Sequence, residues 1–369
     1  MLAITSNWGL GDGSLADARA RRAAGWLEAI RRVVVRAGWG RDGRYVPPAE
    51  VMLLFAGDTF DWLLSDVWSG PDRPWHGGRR AEQARGRVAL AAFRMARPVM
   101  RALARWSRVG MAVPATTPRG RPSGWAEQRV SVNVVLLAGD RDAWLTDHAA
   151  IARRLAITVG EEWSDGSRHV RHGHDLDPLG YLPPAVTSRG GRQPTLAESL
   201  LTDLVVRFAV AVRGEADFWA SVRPRLATFA VRPPADWPAL VSQMAGADRS
   251  SEAVRSAWRR AVAAWHEAAV RELPTCETEY DALAAVAAWL ERSSEGEAVP
   301  EAIRRLSPER GQGSTILAEP GGGGAPAVVC HRAEGAVWWE PLGGEPPDAA
   351  VIAVGLAGDD AGGRFVDAA

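Results

Sequence analysis

Three short segments carry side chains able to share a divalent cation: Gly57-Asp58-Thr59-Phe60-Asp61, Gly139-Asp140-Arg141-Asp142 and His172-Gly173-His174-Asp175-Leu176-Asp177-Pro178. Each follows an apolar run that reads as a strand. Carboxylate oxygen and imidazole nitrogen are compatible ligands of one ion. A glycine directly before an aspartate lets the chain turn sharply, so that the next side chain points back over the strand ends. A lone Gly-Asp after a strand is ordinarily a turn. A series of such strand ends, each followed at once by a metal-capable residue, points to a shared site or the remnant of one. His174 sits beside the metal-capable His172 and is a candidate substrate contact; no residue is singled out as a catalytic acid or base. His76, His148, His169, His266 and His331 have no partners at metal-ligand spacing and read as surface or structural residues.

Such residues need neighbouring strands whose carboxyl ends line one crevice, as in an open α/β sheet. The first apolar strand ends at Ser6-Asn7 and runs into a Gly-rich turn, Gly9 to Gly13. Residues 15–37 have apolar positions at helical spacing and Gly38 as a stop. The continuous apolar run 51–55 suits a strand buried on both faces. A helix is expected from about residue 81 to 107, an exposed Pro/Gly/Thr-rich loop over 114–124, a strand over 130–137 and a helix around 147–155. From 194 to 305 the texture changes to Ala/Arg/Leu/Trp segments at helical spacing. The tail returns to short strands at 314–317, 327–330, 336–339 and 350–354, with a frayed end. The expected organisation is thus a core over 1–193, a helical insertion or lid over 194–305 and returning core strands over 306–369.

The chain has 369 residues, 47% of them hydrophobic, enough for a sizeable core. Its formal net charge is zero, so no global field draws it to nucleic acid or an anionic membrane. Every Lys/Arg position is Arg, which excludes Schiff-base and P-loop chemistry. Cys276 and Cys330 form no CxxC pattern and suggest a reducing compartment. No apolar stretch is long enough to cross a bilayer. A cytoplasmic protein is expected.

The order and spacing of these motifs resemble the calcineurin-like metallophosphoesterases, with D-x-H, G-D-x-x-D, G-N-H-D or G-N-R-D, H-G and G-H-x-H in series. G-D-R-D followed by H-G-x-x-x-D-P is similar to the UDP-diacylglucosamine pyrophosphohydrolase branch. The resemblance covers residues 1 to about 180 and resumes near Ser314. It implies an α/β fold, a two-sheet sandwich flanked by helices with a large helical insertion. It also implies a dinuclear metal site acting on a phosphorylated small molecule or nucleotide-linked substrate.

The departures are as informative. Where the family has D-x-H, this chain has Asn7-Trp8-Gly9; where it has a metal-binding Asn, this chain has Asp140. The last motif falls on Ala318-Glu319-Pro320-Gly321, or in a rival register on Cys330-His331. Carried over, Asn7, Gly9 and Gly321 are degenerate ligands of the first metal, which keeps only the bridging Asp58. The second metal keeps Asp58, Asp140, His172 and, in the first register, Glu319. Arg141 stands where that branch has an Arg, and the resemblance gives it a bidentate grip on phosphate. The expectation is a protein with an eroded dinuclear site, at most one divalent ion (Mn or Mg) and weak or absent phosphohydrolase activity. The alternatives are a working phosphoester or pyrophosphate hydrolase with remodelled ligands, and a scaffold that binds a protein partner through the insertion.

Overall fold

The computed structural model describes residues 1–15, 20–165, 169–172, 191–214, 216–230, 234–245, 250–273, 277–291, 317–320, 326–329, 337–340 and 351–352. The fold is mixed α/β. In chain order the strands are β1 (Leu2–Thr5), β2 (Leu10–Gly11), β3 (Glu50–Ala56), β4 (Phe60–Asp61), β5 (Met111–Thr116), β6 (Pro122–Leu137), β7 (Thr158–Gly160), β8 (Glu162–Ser164), β9 (His169–Arg171), β10 (Leu317–Pro320), β11 (Pro326–Val329), β12 (Val337–Glu340) and β13 (Val351–Ile352). A seven-stranded sheet runs β13-β12-β1-β3-β6-β5, with β7 also paired to β6; a four-stranded sheet runs β10-β11-β9-β8; β2 and β4 pair separately.

The central strands β1, β3, β6 and β7 are parallel, so their carboxyl ends share one edge. Strand period decides which face each side chain joins. On β3, Val51, Leu53 and Phe55 join the main core with the helices. Leu54 and Ala56 turn the other way, into a small apolar cluster with Leu2, Ile4, Val135, Leu137 and Val170. Val170 belongs to β9, so this cluster ties the small sheet to the large one and brings His172 to the same edge as Asp58 and Asp140.

Two expected elements differ. The stretch 114–124 forms a hairpin, β5 with β6, closed at Gly120 with φ of 69°. Pro114 fits because β5 is an edge strand and the register shifts at that point, where a missing N–H costs nothing. The long helix expected over 81–107 is two helices, Arg79–Met95 and Arg97–Val109, broken at Ala96 with a proline in the first turn of the second. Proline is tolerated there and not further in.

Residues 196–291 contain only helical segments among those described. The first stretch starts on a Thr195–Glu198 capping box and passes through a π-helical segment, Leu200–Val205. Within that segment Asp203 accepts from Arg73 Nε at 2.6 Å, both side chains being buried. Phe208, Phe229, Trp237 and Trp258 pack with ring centroids 5.2–6.4 Å apart and belong to the same apolar core as β3 and β6. Among the described residues no helix is long and apolar enough to cross a membrane.

Candidate metal centre

The turns that follow β1 and β3 adopt left-handed backbone. Asn7 has φ of 57°, Gly9 56°, Gly57 87° and Asp58 51°. The two turns are laced together: Gly9 N–H donates to Asp58 O and Leu10 N–H to Thr59 O, both at 3.0 Å. Asn and Asp tolerate this region better than other non-glycine residues, but each costs something, and such conformations persist where surrounding structure holds them.

The result is a convergence of buried side chains from three strand ends. Asp58, Asp140 and His172 each present a ligand-capable atom, all within 4.8 Å of one another. His172 Nε2 lies 3.5 Å from Asp58 Oδ2, and its Nδ1 lies 3.4 Å from Asp140 Oδ1. Glycine makes this possible. A Cβ on Gly57 would come within 2.3 Å of the His172 ring, and one on Gly139 within 2.1 Å of Asp58 Oδ1. The imidazole and the carboxylate are therefore each seated on a bare Cα.

Arg141 shares Asp58 with His172, whose Nε2 also lies 3.5 Å from Asn7 Oδ1. The Arg141 backbone N–H donates to Asp58 Oδ1 at 3.0 Å and its Nε to Oδ2 at 2.5 Å. Nη2 donates to Asn7 Oδ1 at 2.8 Å, and Nη1 stands 3.8 Å from Asp61 Oδ2. The Asn7 amide is oriented from its other end, where Nδ2 donates to Ser6 Oγ at 2.6 Å. Asp142 bolts the arrangement together, accepting from Gly139 N–H at 2.7 Å and Phe60 N–H at 3.0 Å.

The electrostatics follow from burial. Burial alone would raise the Asp58 pKa, but the Arg141 charge, then His172 and the Arg141 hydrogen bonds, hold it well below the carboxylate range. Burial would lower that of Arg141; Asp58, Asp61 and Asp140 overcome it and push it up. Asp142 is pushed up to about 8, first by burial and then by the Asp58 charge, against its two backbone hydrogen bonds. Asp58, Asp61, Asp140 and Asp142 thus crowd around one guanidinium and one imidazole, all buried. Excess buried negative charge demands a further cation or protonation. The donor set, two carboxylates and an imidazole within 4.8 Å of one another, fits one divalent ion.

Beyond the Arg141 turn, Ala143 and Trp144 enter the wall of a cavity of about 380 Å³, which Trp75, His76, Arg85 and Arg192 also line. Burial would lower the Arg192 pKa, but Glu198, and less strongly Asp140, push it up.

Asp58, Asp140, Arg141 and His172 are thus brought together with Asn7. Gly9 lies in the same laced turn and offers no side chain. Arg141, expected from the resemblance to grip phosphate, directs Nε and Nη2 at Asp58 and Asn7. Glu319 falls inside β10 and not after it, paired with Ala327, whose other neighbour is His169; the end of β10 level with Arg171 is Leu317. His174, Gly321 and His331 lie outside the described residues. Sequence reasoning missed Asp142 and Asp61 as site residues. The second aspartate of each strand-end motif was the available signal. No family model matches the chain, no curated protein matches it, and no solved structure matches it.

Proposed function

We propose that this chain is a metallophosphoesterase-like protein, a two-sheet sandwich with a helical lid, whose centre is reduced to one divalent-ion position. The observation that carries the reading is the convergence of Asp58, Asp140 and His172 from separate strands, with His172 and Asp58 seated against Gly57 and Gly139. A divalent ion held there supplies Lewis acidity toward a phosphoryl oxygen. Asp58 and Asp140 supply anionic oxygens, which favour Mg or Mn over Zn. Arg141 neutralises part of the Asp58 charge and fixes the carboxylate. The cavity next to the Arg141 turn, on whose wall stand Arg85 and the Glu198-paired Arg192, gives a phosphorylated small molecule space. Lacking the ligand pair for a second ion, the centre has half of a two-metal clamp, and hydrolysis is slow or absent.

Manganese titration followed by electron paramagnetic resonance and calorimetry tests this reading. One ion per chain is expected, with binding lost in Asp140→Asn and His172→Ala and slow turnover of an aryl phosphate diester. Binding indifferent to both substitutions would overturn the site; two ions with brisk turnover would favour a fully active hydrolase.

A further inference from the structure

We propose that the Arg141 guanidinium is a built-in replacement for a second cation, so that the half of the centre bounded by Asn7, Asp58 and Asp61 is closed to metal. This rests on the single-ion reading only in taking the His172 side of Asp58 as the remaining metal position.

The geometry is that of a cation surrounded by its ligands. Nε addresses Asp58 at 2.5 Å, Nη2 addresses Asn7 at 2.8 Å and Nη1 faces Asp61 at 3.8 Å. The side chain is only 4% exposed, so solvent does not carry the charge. A guanidinium cannot lose its proton under ordinary conditions and presents its donors in a fixed plane, which makes it a permanent occupant. A metal ion needs oxygens at about 2.0–2.6 Å, and on this side Nη2 and Nη1 already stand against Asn7 Oδ1 and Asp61 Oδ2. A second divalent ion set among Asn7, Asp61 and the guanidinium would also be repelled strongly in a buried site.

The partner at position 7 agrees with this assignment. Asn7 offers a neutral oxygen to the guanidinium and adds no charge to a cluster already rich in carboxylates. The guanidinium offsets one of the two charges of Asp58 and Asp61 from within the chain. The guanidinium thus takes the place of an ion on this side, and the centre's metal content is set by which residue stands at 141.

The test compares wild type, Arg141→Lys and Arg141→Gln by calorimetric manganese titration, with paramagnetic resonance to detect spin-coupled pairs. Arg141→Gln is expected to bind one manganese more than wild type, and Arg141→Lys the same number as wild type. If wild type binds one ion and Arg141→Gln also binds one, the replacement is refuted while the single-ion reading stands. If wild type binds none and Arg141→Gln binds one, the replacement stands and the single-ion reading falls. Arg141→Gln leaves Asp58 and Asp61 uncompensated and can unfold without metal. In that event circular dichroism is followed during refolding with added manganese. Recovery of structure with manganese but not without it supports the replacement, and a chain that stays unfolded in both refutes it.

Discussion

Substituting Gly57 with alanine should disable the centre while leaving the fold. Gly57 has φ of 87°, and an added Cβ would lie 2.3 Å from the His172 ring, against about 3.4 Å for ordinary contact. The ring must therefore move by about 1 Å, well beyond the roughly 0.2 Å tolerance of a metal-ligand distance. Left-handed backbone costs an alanine about 1–2 kcal/mol. Overpacking a filled site adds about 1–3 kcal/mol. The expected loss of stability is thus about 2–5 kcal/mol, read from urea denaturation, together with loss of manganese binding. Gly43→Ala is the control. Its φ is 71°, but an added Cβ there meets nothing within 4 Å. It should lose only the backbone term and bind manganese as wild type does. A folded Gly57→Ala protein with unchanged manganese affinity would refute the seating of His172 on Gly57 and, with it, His172 as a ligand.

Three further outcomes follow from buried charge and exposure. Asp58→Ala leaves the Arg141 guanidinium buried without its main counter-charge and should cost about 3–5 kcal/mol in urea denaturation, with manganese binding abolished. Arg73→Ala leaves buried Asp203 with only the half-exposed Arg207 as counter-charge, removes donors to the Trp68 and Gly70 carbonyls and should cost about 1–3 kcal/mol without altering the centre's ligands. Trp125, on the β5–β6 hairpin, is 91% exposed, and Trp125→Ser should leave stability within about 0.5 kcal/mol.

The strand ends that build the centre were legible because local sequence carries the signal. The apolar runs at 51–55 and 130–137 fixed β3 and the later half of β6, and the Gly-Asp pairs fixed where they turn. The β5–β6 hairpin was not legible, since Pro114, Pro118, Gly120 and Pro122 read locally as a loop, and only an edge position makes a proline harmless in a strand. The helix break at Ala96 was signalled by Pro98 alone, against unbroken helical spacing on both sides. The antiparallel pairing of β12 with β1 joins residues at opposite ends of the chain, Leu2 with Glu340, and no local pattern encodes it. Motif spacing placed Arg141 at the centre but not the direction of its guanidinium. That direction depends on Asn7, 134 residues earlier in the chain, and on the seating of Asp58 over Gly139.

The segment Asn7-Trp8-Gly9 makes sense as a unit once Arg141 is in view. Trp8 is fully buried, packs edge-on against Trp26 and Phe55 at 4.9 Å and donates its indole N–H to Thr5 Oγ1 at 2.8 Å. It anchors the turn in the core, with Asn7 immediately before it held left-handed. Gly9 continues the turn at φ of 56° and gives its N–H to the Asp58 carbonyl, a conformation in which histidine would be strained. Placing metal ligands at positions 7 and 9 would therefore meet a left-handed backbone and a resident guanidinium. Asn7→Asp would add a carboxylate that Arg141 already stands ready to neutralise, strengthening the ion pair without creating a vacancy for metal. Metal capacity on this side is governed from position 141, and the sequence at 7–9 has the neutral acceptor, the core anchor and the flexible turn that a permanent internal cation requires.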